Sequence, residues 1–285
     1  MSSKDSDGFL GSSQTSYRLF VWMKYLVYIL LSFNIYLFLQ EELGALEHTF
    51  VDGFELGQVI QVFSATIDTT AWVLLLLLFE LETSVLDDEK IRGPVKWSLH
   101  GLRLVCYAAV FYAFTGYYAE LVALYQVNLL PAFDACANLD ADWSLLVTID
   151  EYEPLSAANC GSLSGAAYQM GDFDIVSNAE VLQSVRWLGW TDVINSASWL
   201  LVVILLEIEV RLQLRGNLSD QIMRFTLLIK YAIYGTLFAC AGYWGVAGDF
   251  LDFWDAALWL FAFIFIELNV FEWQAETSQE SPAAA

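Results

Sequence analysis

Residues 68–82 read DTTAWVLLLLLFELE, and this stretch decides the class of fold. Its apolar middle belongs to a longer segment, 57–79, that is long enough to cross roughly 30 Å of hydrocarbon as a helix. The stretch nevertheless carries Asp68 at one end and both Glu80 and Glu82 at the other. A charged group inside a membrane is costly unless it is paired or hydrated, so these carboxylates require an explanation.

The rest of the chain has the same apolar character. Of its 285 residues 58% are hydrophobic and only 16% are charged, whereas soluble proteins carry about 25% charged residues. Continuous apolar runs indicate helices, because the strands of a membrane barrel would alternate between apolar and polar residues. The sequence predicts an all-α membrane protein with six transmembrane helices. The six spans are 18–40, 57–79, 99–119, 193–212, 225–247 and 254–271.

Lysine and arginine are distributed unevenly between the predicted loops. The segments 41–56, 126–185 and 247–252 contain neither residue, whereas the tail and loops on the other side are basic. By the positive-inside rule both termini are cytoplasmic, and we expect a multi-pass protein of the plasma or inner membrane. The net charge of −22 then falls mainly outside, which argues against nucleic acid as a partner.

The pattern of the opening stretch occurs three times. Residues 68–82 align without gaps with NSASWLLVVILLEIE at 195–209 and with DAALWLFAFIFIELN at 255–269. Each copy has Asp or Asn, then Trp four residues later, then Glu eight residues after the Trp. Agreement at several polar or aromatic positions in three places indicates an internal repeat.

The remaining spans repeat more weakly. KYLVY begins at residue 24, RLVCY at 103 and KYAIY at 230, so each has a basic residue with a Tyr on the same helix face. The sequence therefore predicts three parallel helical hairpins in a pseudo-threefold bundle. The predicted boundaries are 17–84, 96–214 and 223–274 for the hairpins and 1–16 and 275–285 for disordered cytoplasmic tails.

The buried charges of the repeats predict an inner ion-pair layer. Three bases and three acids lie on the order of 10 Å from the helix ends, where an unpaired charge costs several kcal/mol. The layer consists of Lys24, Glu80, Arg103, Glu207, Lys230 and Glu267. Which Glu pairs with which base is left open, as is whether the layer is a permanent lock or a gate. Glu82, Glu209 and Asn269 lie nearer the interface and are expected to be solvated.

An outer polar layer lies roughly 18 Å further along the helices. It consists of Asp68, Asn195 and Asp255, and Arg186 is its expected counter-charge because it is the basic residue of the outer half. Two interpretations remain. The polar groups either bond to neighbouring helices, or they form a vestibule for a cation or a small solute.

The insert at 127–178 is the largest extramembrane segment, and it is acidic. It contains Cys136 and Cys160, and an oxidising compartment would allow them to form a disulfide. Two unbonded cysteines are the alternative. The insert is predicted to form a small cap that a protein partner could bind.

Signatures of enzymes are missing from the sequence. It contains no Walker loop, Rossmann glycine pattern, HExxH or GxSxG motif, so we expect no enzyme, no catalytic residues and no cofactor. No metal site is predicted either. His48, near Glu41, Glu42 and Asp52, is read as a solvated loop residue, and a divalent-metal site there is the alternative.

Two functional classes are consistent with these patterns. The first is a small channel or secondary transporter for protons, cations or a small solute, in which the outer layer is the entry and the inner layer the gate. The second is a non-transporting membrane subunit or sensor that binds a partner through its acidic outer loop. The repeat and the two polar layers favour the first class.

Overall fold

The computed structural model describes residues 14–49, 53, 56–86, 92–139, 142–163, 166–214 and 220–263. Most of these residues are helical. The helices are α1 (Gln14–Thr49), α2 (Val59–Val62), α3 (Ser64–Glu80), α4 (Pro94–Ala123), α5 (Ala179–Leu214) and α6 (Asp220–Ala247). A π-helical turn, Leu81–Val85, continues α3, and residues 250–263 are also helical.

Five helices in the described part of the chain are long and apolar enough to cross a membrane. They correspond to the first five predicted spans. The sixth predicted span, 254–271, is helical as far as residue 263, and the remainder lies outside the described residues. The structure therefore shows a multi-pass helical protein, whereas six spans and a threefold arrangement remain predictions.

Two helices extend well beyond the predicted spans. Helices α1 and α5 each have 36 residues and are about 54 Å long, against roughly 30 Å for the hydrocarbon core. As a result Glu41 and Glu42, predicted to lie in a loop, belong to α1, which ends at Thr49. The run QEELGALEH contains Leu, Ala and Glu, which favour helix, and only one glycine.

The predicted insert contains a β-sheet, so the all-α assignment is wrong in this region. Its strands are β1 (Val127–Leu130), β2 (Ser144–Leu146), β3 (Tyr152–Pro154), β4 (Ala167–Met170) and β5 (Ile175–Ser177), in the order β1-β4-β5-β2-β3. Only β2 and β5 pair in parallel. Strands of three or four residues are too short for apolar alternation to be recognised in the sequence.

The sheet has a small hydrophobic core of its own. Leu155, Leu163, Ala167 and Val176 are buried together, with Phe133 and Trp143 packed against them. A disulfide joins Cys136 to Cys160 at the edge of this core, with their Cα atoms 5.1 Å apart. The insert is therefore an ordered cap.

The described residues form two compact units, one from residues 14–34 and 254–263 and the other from residues between 35 and 253. In the larger unit α3 packs on α4, α4 on α5, and α5 on α6. Helices α4 and α5 meet the sheet at one end, which we call the sheet end. The start of α4 and the end of α5 lie at the other end, which we call the loop end. Consequently α3 and α5 run parallel.

Candidate functional site

Two ion pairs lie toward the loop end of the larger unit. Arg103 on α4 contacts Glu82, just after α3, at 2.5 Å. Lys230 on α6 contacts Glu209 on α5, also at 2.5 Å. All four side chains are at most about a third exposed, with relative exposures of 21–32%. The expectation that Glu82 and Glu209 are solvated is therefore wrong, and both are partners of the predicted bases.

Glu207 does not belong to a buried pair. It contacts Arg211 one turn further along α5, and the two side chains are 52% and 68% exposed. Residues two positions apart point in nearly opposite directions on a helix. Because Glu209 faces Lys230, Glu207 must face outward, which is why it is misplaced in the predicted inner layer.

Lys24 and Glu80, the remaining described members of that layer, are both buried. The Lys24 ammonium lies 5.1 Å from the centroid of the Tyr25 ring. Glu80 is the last residue of α3. Pairing between Lys24 and Glu80 stays a prediction, and Glu267 lies outside the described residues.

The tryptophans of two predicted repeats are in contact. The rings of Trp72 on α3 and Trp199 on α5 have centroids 6.0 Å apart. Asp68 and Asn195 each lie four residues earlier, which is one turn toward the sheet end on parallel helices. The tryptophan contact therefore brings Asp68 and Asn195 to the same level of the larger unit. The hydroxyl of Tyr117 on α4 donates to Asp68 at 3.4 Å.

Asp255 belongs to the smaller unit. There it accepts a hydrogen bond from the side-chain amide of Asn34 on α1, at 2.7 Å. Asn34 is fully buried. The predicted outer polar layer is thus distributed over both units, with Asp68 and Asn195 in one and Asp255 in the other.

Arg186 has a different role from the predicted one. Its Nε–H donates to the carbonyl oxygen of Leu124 at 3.0 Å, and its guanidinium lies 4.5 Å from the centroid of the Tyr125 ring. A helix C-terminus presents unpaired carbonyls and partial negative charge, and both favour a cation. Arg186 therefore caps α4, and the prediction that it is the counter-charge of the outer polar layer is wrong.

Carboxylates from several segments converge at the sheet end of the larger unit. These acids are close enough to interact electrostatically. Glu120 interacts with Asp150 and Asp192. Asp192 interacts with Asp150, Asp249 and Glu41. Glu42 is buried and most of the others are half-buried. We call this group the carboxylate cluster. Its members are Glu41, Glu42, Glu120, Asp150, Asp192, Asp249 and Asp252.

Some members of the cluster also have structural partners. Glu42 on α1 accepts hydrogen bonds from the backbone N–H groups of Ala65 and Thr66, at 2.8 and 3.2 Å. It thereby satisfies donors at the start of α3 and complements the helix dipole. Asp192 accepts a hydrogen bond from the indole N–H of Trp244 at 3.1 Å.

The sheet contributes Asp150 to the cluster. Burial, reinforced by the charges of Asp249 and Glu151, raises the pKa of the Asp150 carboxyl from its usual 3.8 to about 7. Burial also raises the pKa of Asp249. Close by, His48 at the end of α1 contacts the Ser144 hydroxyl at 2.8 Å and stacks on Tyr152. His48 therefore links α1 to the sheet instead of lying in a loop.

The carboxylate cluster could not be predicted from the sequence. Its members are distant in sequence, and α1, α4, α5 and the sheet must fold before they meet. Apart from Asp150, which lies in the insert, the members share one signal in the sequence: they are acids near the ends of spans on the lysine-free side. Among the described residues no group of three or more His, Cys, Asp or Glu side chains has the geometry to hold a metal ion.

The apolar helices define an integral, multi-pass membrane protein with an ordered, disulfide-linked sheet domain. Comparisons with protein-family models, with curated proteins and with solved structures give no match to this chain.

Proposed function

We propose that this membrane protein transports protons or other small cations, with the carboxylate cluster as the entry site. The observation that carries the proposal is the composition of the cluster. The charges that act most strongly on Glu120 and Asp192 are those of other acids, and Arg186 is engaged by α4. Carboxylates that gather in one place attract positive charge.

The position of the cluster supports the same proposal. Glu120 and Asp192 are on span helices, whereas Asp150 comes from the sheet, so the cluster lies where span helices meet the cap. If the lysine-free side is extracytoplasmic, as the basic loops predict, the cluster faces incoming cations. The ion pairs toward the loop end would then be the inner barrier of the pathway.

Purified protein in liposomes tests this proposal. An imposed gradient should drive cation entry that is followed with pH-sensitive and potassium-sensitive dyes. We expect the Glu120→Gln and Asp192→Asn double variant to lower the flux at least tenfold. Asp172→Asn removes one exposed acid from the sheet domain and should leave the flux unchanged. Liposomes that pass no cation, with or without a membrane potential, would refute transport.

A second candidate function is a non-transporting subunit or sensor. The observation in its favour is the disulfide-linked sheet, because a simple connection between two spans needs neither a sheet nor a disulfide. Under this alternative the cap binds a basic protein partner. The double variant Glu120→Gln and Asp192→Asn would then still bind the partner. A pull-down with either the wild-type protein or this variant as bait would recover the same partner.

A further inference from the structure

The face of α5 below the carboxylate cluster carries unusual polar groups. Asn195 and Ser196 lie three and four residues after Asp192, so each is a neighbour of Asp192 on the same side of the helix. From Asp192 to Ser196 this face extends about 6 Å along the axis, and Trp199 follows one turn later. The face thus continues inward from a member of the cluster.

Ser196 differs from two other buried residues of α5 that carry hydroxyls, Thr191 and Ser198. Thr191 donates to the carbonyl of Trp187, and Ser198 donates to that of Ile194, each at four residues' separation. This back-bonding is the usual way for a helical hydroxyl to find a partner. The Ser196 hydroxyl has no hydrogen-bond partner among the described residues, although its side chain is only 3% exposed.

The residue before Ser196 also has a buried polar atom without a hydrogen-bond partner among the described residues. The side-chain oxygen of Asn195 has no hydrogen-bond partner among the described residues. Buried polar groups of folded proteins nearly always bond to protein or to ordered water, and leaving one unpaired costs about 1–3 kcal/mol. A hydroxyl and an amide oxygen on consecutive residues, both without a partner among the described residues, therefore indicate a bound ligand that can donate hydrogen bonds.

We infer that the transported cation is the proton, and that water bound by Asn195 and Ser196 carries it inward from Asp192. This inference rests on the proposed function and makes it more specific. A proton needs only a continuous chain of hydrogen bonds, whereas a metal ion needs several ligand oxygens at once. The described residues offer no such metal-binding group, but they do offer this row of polar groups.

The chemistry of the three side chains is suited to this role. The Asp192 carboxyl, fixed by the Trp244 indole, gives up a proton as an O–H bond forms on the water, and the water releases another proton onward. The Ser196 hydroxyl can accept and donate in the same step, whereas the Asn195 oxygen only accepts and so orients the water. Only hydrogen changes partners, and no oxidant or co-reactant is required.

Proton uptake by liposomes containing single variants tests this inference. Ser196→Ala should lower the proton flux at least tenfold. Ser198→Ala is the matched control, because Ser198 is also buried, lies on the same helix and is already bonded to a carbonyl. It should leave the flux unchanged. Ser196→Cys keeps a weak donor of similar size, so its proton flux should lie between those of the two alanine variants. This variant tests the inference even if Ser196→Ala fails to fold.

A readout independent of flux comes from infrared spectroscopy of the solubilised protein. We expect a protonated-carboxyl band that Asp192→Asn removes, that Ser196→Ala shifts and that Ser198→Ala leaves in place. Potassium flux without proton flux would overturn the inference and leave the proposed transport intact. No flux of any cation would refute the proposed function itself. Equal proton flux and equal spectra for the two serine variants would overturn the water site alone.

Discussion

The guanidinium of Arg103 lies 2.5 Å from the carboxylate of Glu82, 21 residues earlier in the chain. Lys230 and Glu209 have the same distance and the same separation in sequence. In each case the acid lies near the end of one span and the base lies within the next one. The two pairs therefore join consecutive helices in the same manner.

Breaking one of these pairs should destabilise the larger unit. We expect Glu209→Gln or Lys230→Gln to lower the free energy of unfolding by about 1–2 kcal/mol, between the values for exposed and fully buried pairs. The double variant should lose less free energy of unfolding than the two single variants lose together, because neither charge of the pair is then left without its partner. Thermal unfolding in detergent measures these differences.

The exposed pair of Glu207 and Arg211 provides the control. Both side chains are more than half exposed, so Glu207→Gln should change the stability by less than about 0.5 kcal/mol. Equal effects at residues 207 and 209, or additive losses in the double variant, would contradict the assignment of Glu209 as the buried partner.

Close packing at Gly116 leads to a second prediction. A Cβ atom at this position on α4 would lie 2.6 Å from the carbonyl oxygen of Ile60 and 3.0 Å from the Cβ of Ser64. The backbone of Ile60 cannot move without disturbing α2. Gly116→Ala should therefore destabilise the protein by about 1–3 kcal/mol, measured by thermal unfolding followed through tryptophan fluorescence.

Gly101 is the matched control for this substitution. It lies on the same helix, and a Cβ there would meet nothing within 4 Å. Gly101→Ala should be neutral or stabilising by up to about 1 kcal/mol, because alanine favours helix. If Gly116→Ala is as stable as Gly101→Ala, α2 does not pack against α4 as closely as described.

The sequence predicted the five described spans and the position of the insert, because both depend on composition over many residues. It misplaced features that depend on one helix turn or on tertiary contact. Glu207 and Glu209 differ by two positions, and apolar periodicity within a membrane span does not show which one faces a neighbouring helix. Arg186 was assigned by charge alone, although the end of α4 beside it could not be located from sequence.

The pH dependence of stability follows from Asp150. The pKa of its carboxyl is near 4 in the unfolded chain and about 7 in the folded one, so between these values the native state binds the additional proton. The contribution of Asp150 to stability should therefore be largest below about pH 4 and fall as the pH rises toward 7. The charged and titratable groups around Asp150 are Asp249, Glu151, Glu41, Glu42, Glu120, Asp192, Asp252 and Tyr152.

The substitution Asp150→Asn isolates this contribution. It should flatten the decline in melting temperature between about pH 4 and pH 7, because the variant has no proton to lose at this position. Asp172→Asn, at an exposed position of the same domain, should keep the wild-type profile. An unchanged slope in Asp150→Asn would show that other members of the cluster dominate the pH dependence.

The disulfide between Cys136 and Cys160 should determine the stability of the cap. It closes a loop of 24 residues' separation beside a hydrophobic core of few residues. Constraining the unfolded chain over such a loop is worth roughly 3 kcal/mol. Cys136→Ser should therefore open the sheet domain to limited proteolysis between residues 127 and 178, while the spans stay protected.

A reducing agent should reproduce this cleavage in the wild-type protein. Cys106→Ala is the control, because Cys106 is a free, buried cysteine of α4 and its loss leaves the disulfide intact. Its digestion pattern should match that of the wild type. Since a disulfide persists only in an oxidising compartment, the bond also predicts that the cap lies outside the cytoplasm. A cap that is equally resistant in Cys136→Ser would mean that its hydrophobic core alone is sufficient for folding.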